Sequence, residues 1–105
     1  MRITTWNVNG LRAALRKGFA ELIAASAPDV LMLQEVRALP EQLPAEWAAP
    51  DGWHVHWHPA ERKGYSGTAV WSRQPMKLLG TGMHGDDPEG RVLRVRVQEV
   101  ELVNV

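Results

Sequence analysis

The first six apolar and polar positions that carry a pattern are Ile3-Thr4-Thr5-Trp6-Asn7-Val8, β-branched and aromatic, and they predict a strand. Asn9-Gly10 breaks it and offers a helix cap. Leu11, Leu15, Phe19, Leu22 and Ile23 then recur at helical spacing, with Arg12, Arg16 and Lys17 off the stripe, so one helix is expected up to Pro28. Val30-Leu31-Met32-Leu33 follows as a short continuous apolar run, the signature of a strand buried on both faces. Strand, helix and buried strand form a βαβ unit, whose strands run parallel.

Beyond this unit the pattern changes. Residues 38–52 hold Pro40, Pro44 and Pro50 and are expected to be loop, with a short helix at most around Glu41 to Trp47. Trp53 to His58 alternates, Thr68 to Trp71 follows a glycine-rich turn, and Met76 to Leu79 is a further short strand. Gly85 to Gly90 is a turn by composition. Val92, Val95 and Val97, then Val100, Leu102 and Val105, predict two antiparallel strands. A sheet buried on both faces needs cover on both, and this pattern supplies one helix for one face. The 105 residues are therefore expected to be the front part of a longer domain. Val30 to Leu33 and Val100 to Val105 are expected to present apolar surface and unpaired edges to water.

Composition narrows the function classes without choosing one. Cysteine is absent, which excludes disulfide scaffolds, thiolate metal sites and cysteine nucleophiles. No apolar run nears the ~20 residues that span a bilayer, and no secretory signal opens the chain, so an intracellular, cytoplasmic protein with no membrane partner is expected. Basic and acidic side chains number 12 each, so the net charge is +0 and advertises no anionic partner. Local distribution differs: Arg2, Arg12, Arg16 and Lys17 face no acid in the first twenty residues.

In open α/β sheets ligands collect beyond the carboxyl ends of parallel strands. Asn7 ends the first strand and Gln34-Glu35 follow the second, so an amide and a carboxylate converge there. Hard oxygen donors of this kind suit Mg²⁺ or Mn²⁺ better than zinc. Geometry alone favours a turn-closing Asn7 and a solvated Glu35 instead. His54, His56 and His58 share one strand face, but they extend along ~14 Å, too far to converge on one ion, and Trp53, Val55 and Trp57 make the opposite face that of an ordinary half-buried strand. Gly64-Tyr65-Ser66-Gly67, after Arg62-Lys63, is either a plain turn or a loop that lifts an aromatic ring beside basic residues towards nucleic acid.

Taken together, Thr5-Trp6-Asn7-Val8-Asn9-Gly10-Leu11-Arg12, Pro28-Asp29-Val30 through Leu33-Gln34-Glu35, Lys63-Gly64-Tyr65-Ser66-Gly67, Trp71-Ser72-Arg73 and Glu89-Gly90-Arg91-Val92 resemble, in order, segments of the exonuclease III family of apurinic/apyrimidinic endonucleases. The resemblance covers essentially residues 1–105 and displaces the bland reading of Asn7 and Glu35. It implies the N-terminal part of a four-layered α/β sandwich, two β-sheets packed between helices. It also implies a Mg²⁺-dependent (or Mn²⁺-dependent) phosphodiesterase that acts on double-stranded DNA at abasic sites and 3′ ends. Glu35 falls on the family's metal-ligand glutamate and Asn7 on the asparagine supporting the metal-binding acids. Arg12, Lys17, Tyr65 and Arg91 fall at or near its DNA-contacting positions.

The family's catalytic tyrosine, its Asp-x-Asn motif and its Ser-Asp-His segment have no counterpart in this sequence, so the chain by itself is expected to be inactive. Two other readings remain: a phosphatase or phosphodiesterase of the wider superfamily acting on lipid or inositol phosphates, and a non-catalytic DNA-binding fragment.

Overall fold

Strand β1 (Ile3–Asn7) pairs in parallel with β2 (Val30–Gln34), Ile3 opposite Val30 and Asn7 opposite Gln34. The computed structural model, which describes residues Met1–Val105, thus contains the expected βαβ unit. Its helix is two helices. α1 (Leu11–Arg16) ends at Lys17, and α2 (Phe19–Ser26) starts anew after Gly18, which sits at φ +99°. That conformation suits glycine and interrupts a right-handed helix. The break also resets the apolar stripe: Phe19 and Ile23 are buried, whereas Leu22, predicted to share their face, is 53% exposed.

After β2, residues Pro40–Gln42 form a 3₁₀ turn and Ala45–Ala48 the single-turn helix α3. β3 (His54–His58) and β4 (Thr68–Ser72) pair antiparallel, and β4 also pairs antiparallel with β2. The first sheet therefore has the order β1-β2-β4-β3. β5 (Met76–Thr81), β6 (Leu93–Val97) and β7 (Val100–Asn104) make a second, antiparallel sheet, with a bulge between Leu78 and Gly80.

Strand alternation divides the first sheet between two cores. On one face Leu31, Leu33, Ala69 and Trp71 pack against Leu11, Phe19, Ile23 and Leu43 from the helical layer and its loops. Trp71 is the hub: Phe19, Trp53 and Trp57 meet it edge-on at 5.6, 5.8 and 6.0 Å between ring centres, and Trp47 stacks at 6.2 Å. Each such pair contributes about 0.5–1.5 kcal/mol beyond its area. On the other face Val30 and Val70 meet Leu93, Val95, Val97 and Leu102 of the second sheet.

Two expectations change here. The second face of the βαβ unit is covered by the β5–β7 sheet, and β2 is a central strand with Val30, Leu31 and Leu33 at 0% exposure, so it presents neither an edge nor apolar surface. Of the two strands expected to show edges, β7 alone lies at the edge of its sheet, with Val100, Val103 and Val105 exposed. The inward positions of the last two strands also differ from the valine pattern: Leu93, Val95 and Val97 face the core in β6, and Leu102 and Asn104 in β7. Helices, first sheet and second sheet are three successive layers of the α/β sandwich. No helix is long and apolar enough to cross a membrane.

Asn104 is 1% exposed, yet fully used. Its Nδ2 donates to the Leu33 and Ala69 carbonyls, both at 2.9 Å, and its Oδ1 accepts Gln34 Nε2 at 2.7 Å. Gln34 Nε2 also reaches Thr5 Oγ1 at 2.8 Å. This polar pin ties β7 to the ends of β1 and β2, where the candidate site lies.

Candidate functional site

The carboxyl ends of β1 and β2 are locked together by backbone bonds. Val8 N–H donates to the Gln34 carbonyl at 3.1 Å, Gly10 N–H to that of Glu35 at 2.8 Å, and Leu11 N–H to that of Val36 at 2.9 Å. These bonds replace the side-chain cap expected from Asn9-Gly10; Gly10 caps α1 with no side-chain hydrogen bond. The Gly64-to-Gly67 loop joins the same cluster, because Val36 and Arg37 N–H donate to the Gly67 and Ser66 carbonyls at 3.0 and 2.8 Å. Asn9, Glu35, Arg37 and Ser66 all hold positive φ, four of the six non-glycine residues that do so. Left-handed backbone costs such residues about 1–2 kcal/mol each, and its concentration here singles this end of the sheet out as the candidate site.

Within this frame Asn7 and Glu35 meet. Asn7 Nδ2 donates to Glu35 Oε2, while Asn7 Oδ1 accepts Asn9 N–H at 3.0 Å. Arg37 Nη2 pairs with the other carboxylate oxygen, Oε1, at 2.6 Å. The Asn7 amide first, and the Arg37 guanidinium second, hold the Glu35 carboxyl below its usual range, so it is ionised at neutral pH. Both groups therefore hold the carboxylate charged and in one orientation.

Around Glu35 runs a cleft. A cavity of about 240 Å³ is lined by Asn7, Gln34, Glu35, Ser66, Thr68, Arg91 and Val105. It shares Glu35, Ser66 and Arg91 with a second hollow lined by Arg37, Gly64 and Tyr65. That hollow shares Arg37 and Gly64 with a third, of about 310 Å³, lined by Asn9, Gly10, Arg12, Ala13 and Arg16. Four arginines and one carboxylate thus line three adjoining hollows on a chain of zero net charge. Arg91 bonds Glu89 through Nε at 2.5 Å and reaches Tyr65 Oη at 3.4 Å, and the Glu89 contact keeps its guanidinium even more firmly protonated. Tyr65 is 40% exposed, with Arg62 and Arg91 each within 6 Å of its ring centre, at 5.6 and 5.9 Å.

The structure brings Asn7, Glu35, Tyr65 and Arg91 to one cleft and Arg12 to its far end. Lys17 caps the C-terminus of α1, exposed, and lines none of the three hollows. Arg37 was not visible to sequence reasoning, because it lies outside any strand and pairs with Glu35 only through two positive-φ residues. Arg16, read as an off-stripe helix residue, lines the groove as well. His58 donates its attention elsewhere in the fold: its Nε2 lies 2.9 Å from Asp87 Oδ2, while Trp53, Val55 and Trp57 pack on the aromatic core.

The donor set can be tested against a hydrated divalent cation. Mg²⁺ binds through one or two carboxylates and keeps several waters. An ionised Glu35 in an open, polar cavity meets that need, and the buried Thr68 Oγ1, which lines the same cavity, has no partner. No group of three or more His, Asp, Glu or Cys converges here, so the residues fit a partly hydrated hard ion and not a closed protein cage.

The arrangement has relatives. The chain is 39% identical to the exodeoxyribonuclease of Bacillus subtilis over 108 aligned positions, covering 100% of this chain and 42% of that protein. It is 35% identical to the DNA-(apurinic or apyrimidinic site) endonuclease of Dictyostelium discoideum, covering 99% of this chain and 29% of that protein. The solved structure of the Neisseria 3′ phosphatase NExo bound to product DNA hairpin superposes with a TM-score of 0.81 at 36% identity, over 98% of this chain and 40% of that one. An AP endonuclease from Archaeoglobus fulgidus, at 24% identity and a TM-score of 0.78, shares the fold. This chain thus spans about two-fifths of the length of the first of these relatives. With residues 4–105 matching the Endonuclease/Exonuclease/phosphatase family across both sheets and the Asn7–Glu35 cleft, the chain belongs to that family.

Proposed function

We propose that this chain is the part of a DNA-repair nuclease that holds one carboxylate ligand of a Mg²⁺ or Mn²⁺ ion and grips the DNA backbone, in an enzyme that hydrolyses phosphodiester bonds at abasic sites and 3′ ends. The observation that carries this reading is the pairing of an ionised, doubly oriented Glu35 with an arginine-lined groove that runs directly past it. When bound, the ion neutralises charge on a phosphate oxygen as a Lewis acid.

The chain's own residues have separable tasks. Glu35 holds the cation, and Asn7 and Arg37 fix its orientation. Arg91, Arg12 and Arg16 neutralise backbone phosphates along the groove, which gives affinity and register without reading sequence. Tyr65 offers an exposed ring beside Arg91 on which a base or sugar can lie. An extended groove with arginines at both ends favours a polyanionic strand over a compact lipid or inositol phosphate, as do the DNA-directed names of the relatives.

The test is a titration with Mg²⁺ followed by amide resonances, together with anisotropy on a duplex carrying a tetrahydrofuran abasic-site analogue. Glu35→Gln keeps the size of the side chain and removes its charge. Mg²⁺ affinity is expected to fall by about 10–100-fold, with duplex binding in metal-free buffer largely kept. Unchanged Mg²⁺ affinity would assign the ion to other residues.

A further inference from the structure

Asp87 lies outside the cleft, in the connection between β5 and β6, and composition marks it only as a turn residue. Its side chain is nevertheless only 12% exposed, and a single oxygen gathers three donors. Oδ2 accepts Val92 N–H at 2.8 Å, His58 Nε2 at 2.9 Å and Arg91 N–H at 3.0 Å. An ionised carboxylate can only accept, so His58 presents Nε2–H and keeps Nδ1 away from Asp87. Burial works against this charge, but the bonds from Val92, His58 and Arg91 outweigh it and hold the Asp87 carboxyl below its usual range.

The rest of the segment is stapled to the neighbouring loops. Glu61 N–H donates to the Pro88 carbonyl at 2.8 Å, Gly67 N–H to that of Glu89 at 3.2 Å, and Gly90 N–H to that of Asp87 at 3.0 Å. Gly90 sits at φ +62°, and a Cβ there would stand 2.5 Å from the His58 carbonyl oxygen. Arg91 therefore leaves from a backbone pressed against the end of β3, and from that point its side chain lines the Glu35 cavity.

We propose that Asp87 is a positioning residue for Arg91: by taking the Arg91 and Val92 N–H groups and the His58 ring on one oxygen, it fixes the backbone from which the guanidinium reaches the cleft beside Glu35 and Tyr65. The proposal rests on the reading of Arg91 as a phosphate-pairing residue. Asp87 itself touches no DNA. Its contribution is to keep one cation where a phosphate arrives, so less freedom is lost on binding.

A double-mutant cycle on this chain separates the two ideas. The probe is the duplex with the tetrahydrofuran analogue, and the readouts are anisotropy and the Arg91 and Val92 amide resonances. Arg91→Ala is expected to weaken binding about tenfold, the scale of one charge-assisted contact. Asp87→Asn is expected to weaken it about three- to tenfold, to shift both amides upfield, and to add nothing on top of Arg91→Ala. Additive losses, or an Asp87→Asn chain that binds as the parent does, would overturn the positioning role alone. An Arg91→Ala chain that binds normally would overturn the DNA reading of Arg91 and this proposal with it. If Asp87→Asn fails to fold, His58→Ala carries the same cycle by removing one of the three donors; unchanged affinity and unchanged amides there would likewise overturn the role.

Discussion

Glu35 and Asp87 are both carboxylates held below their usual range, for different reasons and with different consequences. At Glu35 the Asn7 amide acts first and Arg37 second, on an exposed group, so solvent screens most of the effect on stability. At Asp87 burial opposes the charge, and the Val92, His58 and Arg91 bonds overcome it. A carboxylate whose folded pKa is depressed contributes stability above its unfolded value, near ~3.9 for Asp, and loses it as pH falls through the folded value. In a His58→Ala background, which removes the imidazole that faces Asp87, the difference in urea midpoint made by Asp87→Asn is therefore expected to be constant from pH 7 to 5 and to shrink below about pH 4. A difference that instead changes between pH 7 and 5 would show that another titrating group governs the turn.

Elements, not single side chains, explain what the sequence could reveal. β-Branched and continuous apolar runs, alternation and turn chemistry located all seven strands, since local pattern decides a strand's existence. The helix from Leu11 onward was legible, but its break at Gly18 was not, because a glycine inside a helical stripe can be tolerated as well as terminate it. The inward set of β7 was misread for a related reason: a polar Asn104 faces the core while Val100, Val103 and Val105 face water. Valine counts cannot foresee a buried amide that satisfies carbonyls 71 and 35 residues earlier in the chain. Asn7 and Glu35 were readable as strand ends; Arg37 and Asp87 depended on loop contacts that no spacing announces. The Asn104 pin gives a direct measurement. Asn104→Leu keeps the heavy-atom count and branching of the side chain and leaves the Asn104 bonds to Leu33, Ala69 and Gln34 unmade, so the chain is expected to lose about 1–3 kcal/mol of stability by urea denaturation. Equal or greater stability would mean that desolvating the amide offsets all three bonds.

The whole molecule sets the candidate site on a well-packed scaffold. Both faces of the first sheet are packed, one by an aromatic cluster around Trp71 and one by the second sheet, so Asn7 and Glu35 project from a rigid edge. Hydrolysis of a phosphodiester needs a cation on the phosphate, a base for the attacking water and donors for the charge that develops. On the function proposed above, the cleft offers Glu35 for the first and Arg91 for part of the third. For the second, Glu35 is taken up by Asn7 and Arg37, and the Tyr65 hydroxyl accepts from Arg91, so neither is free to take the proton of an attacking water. This chain is therefore expected to bind abasic-site duplex without cutting it. Incubated with supercoiled, depurinated plasmid and Mg²⁺, it should produce nicks no faster than a Glu35→Gln control prepared in parallel. Nicking that exceeds that control and stops with EDTA would mean that the residues around Glu35 activate water themselves, and the division of labour drawn here would fall.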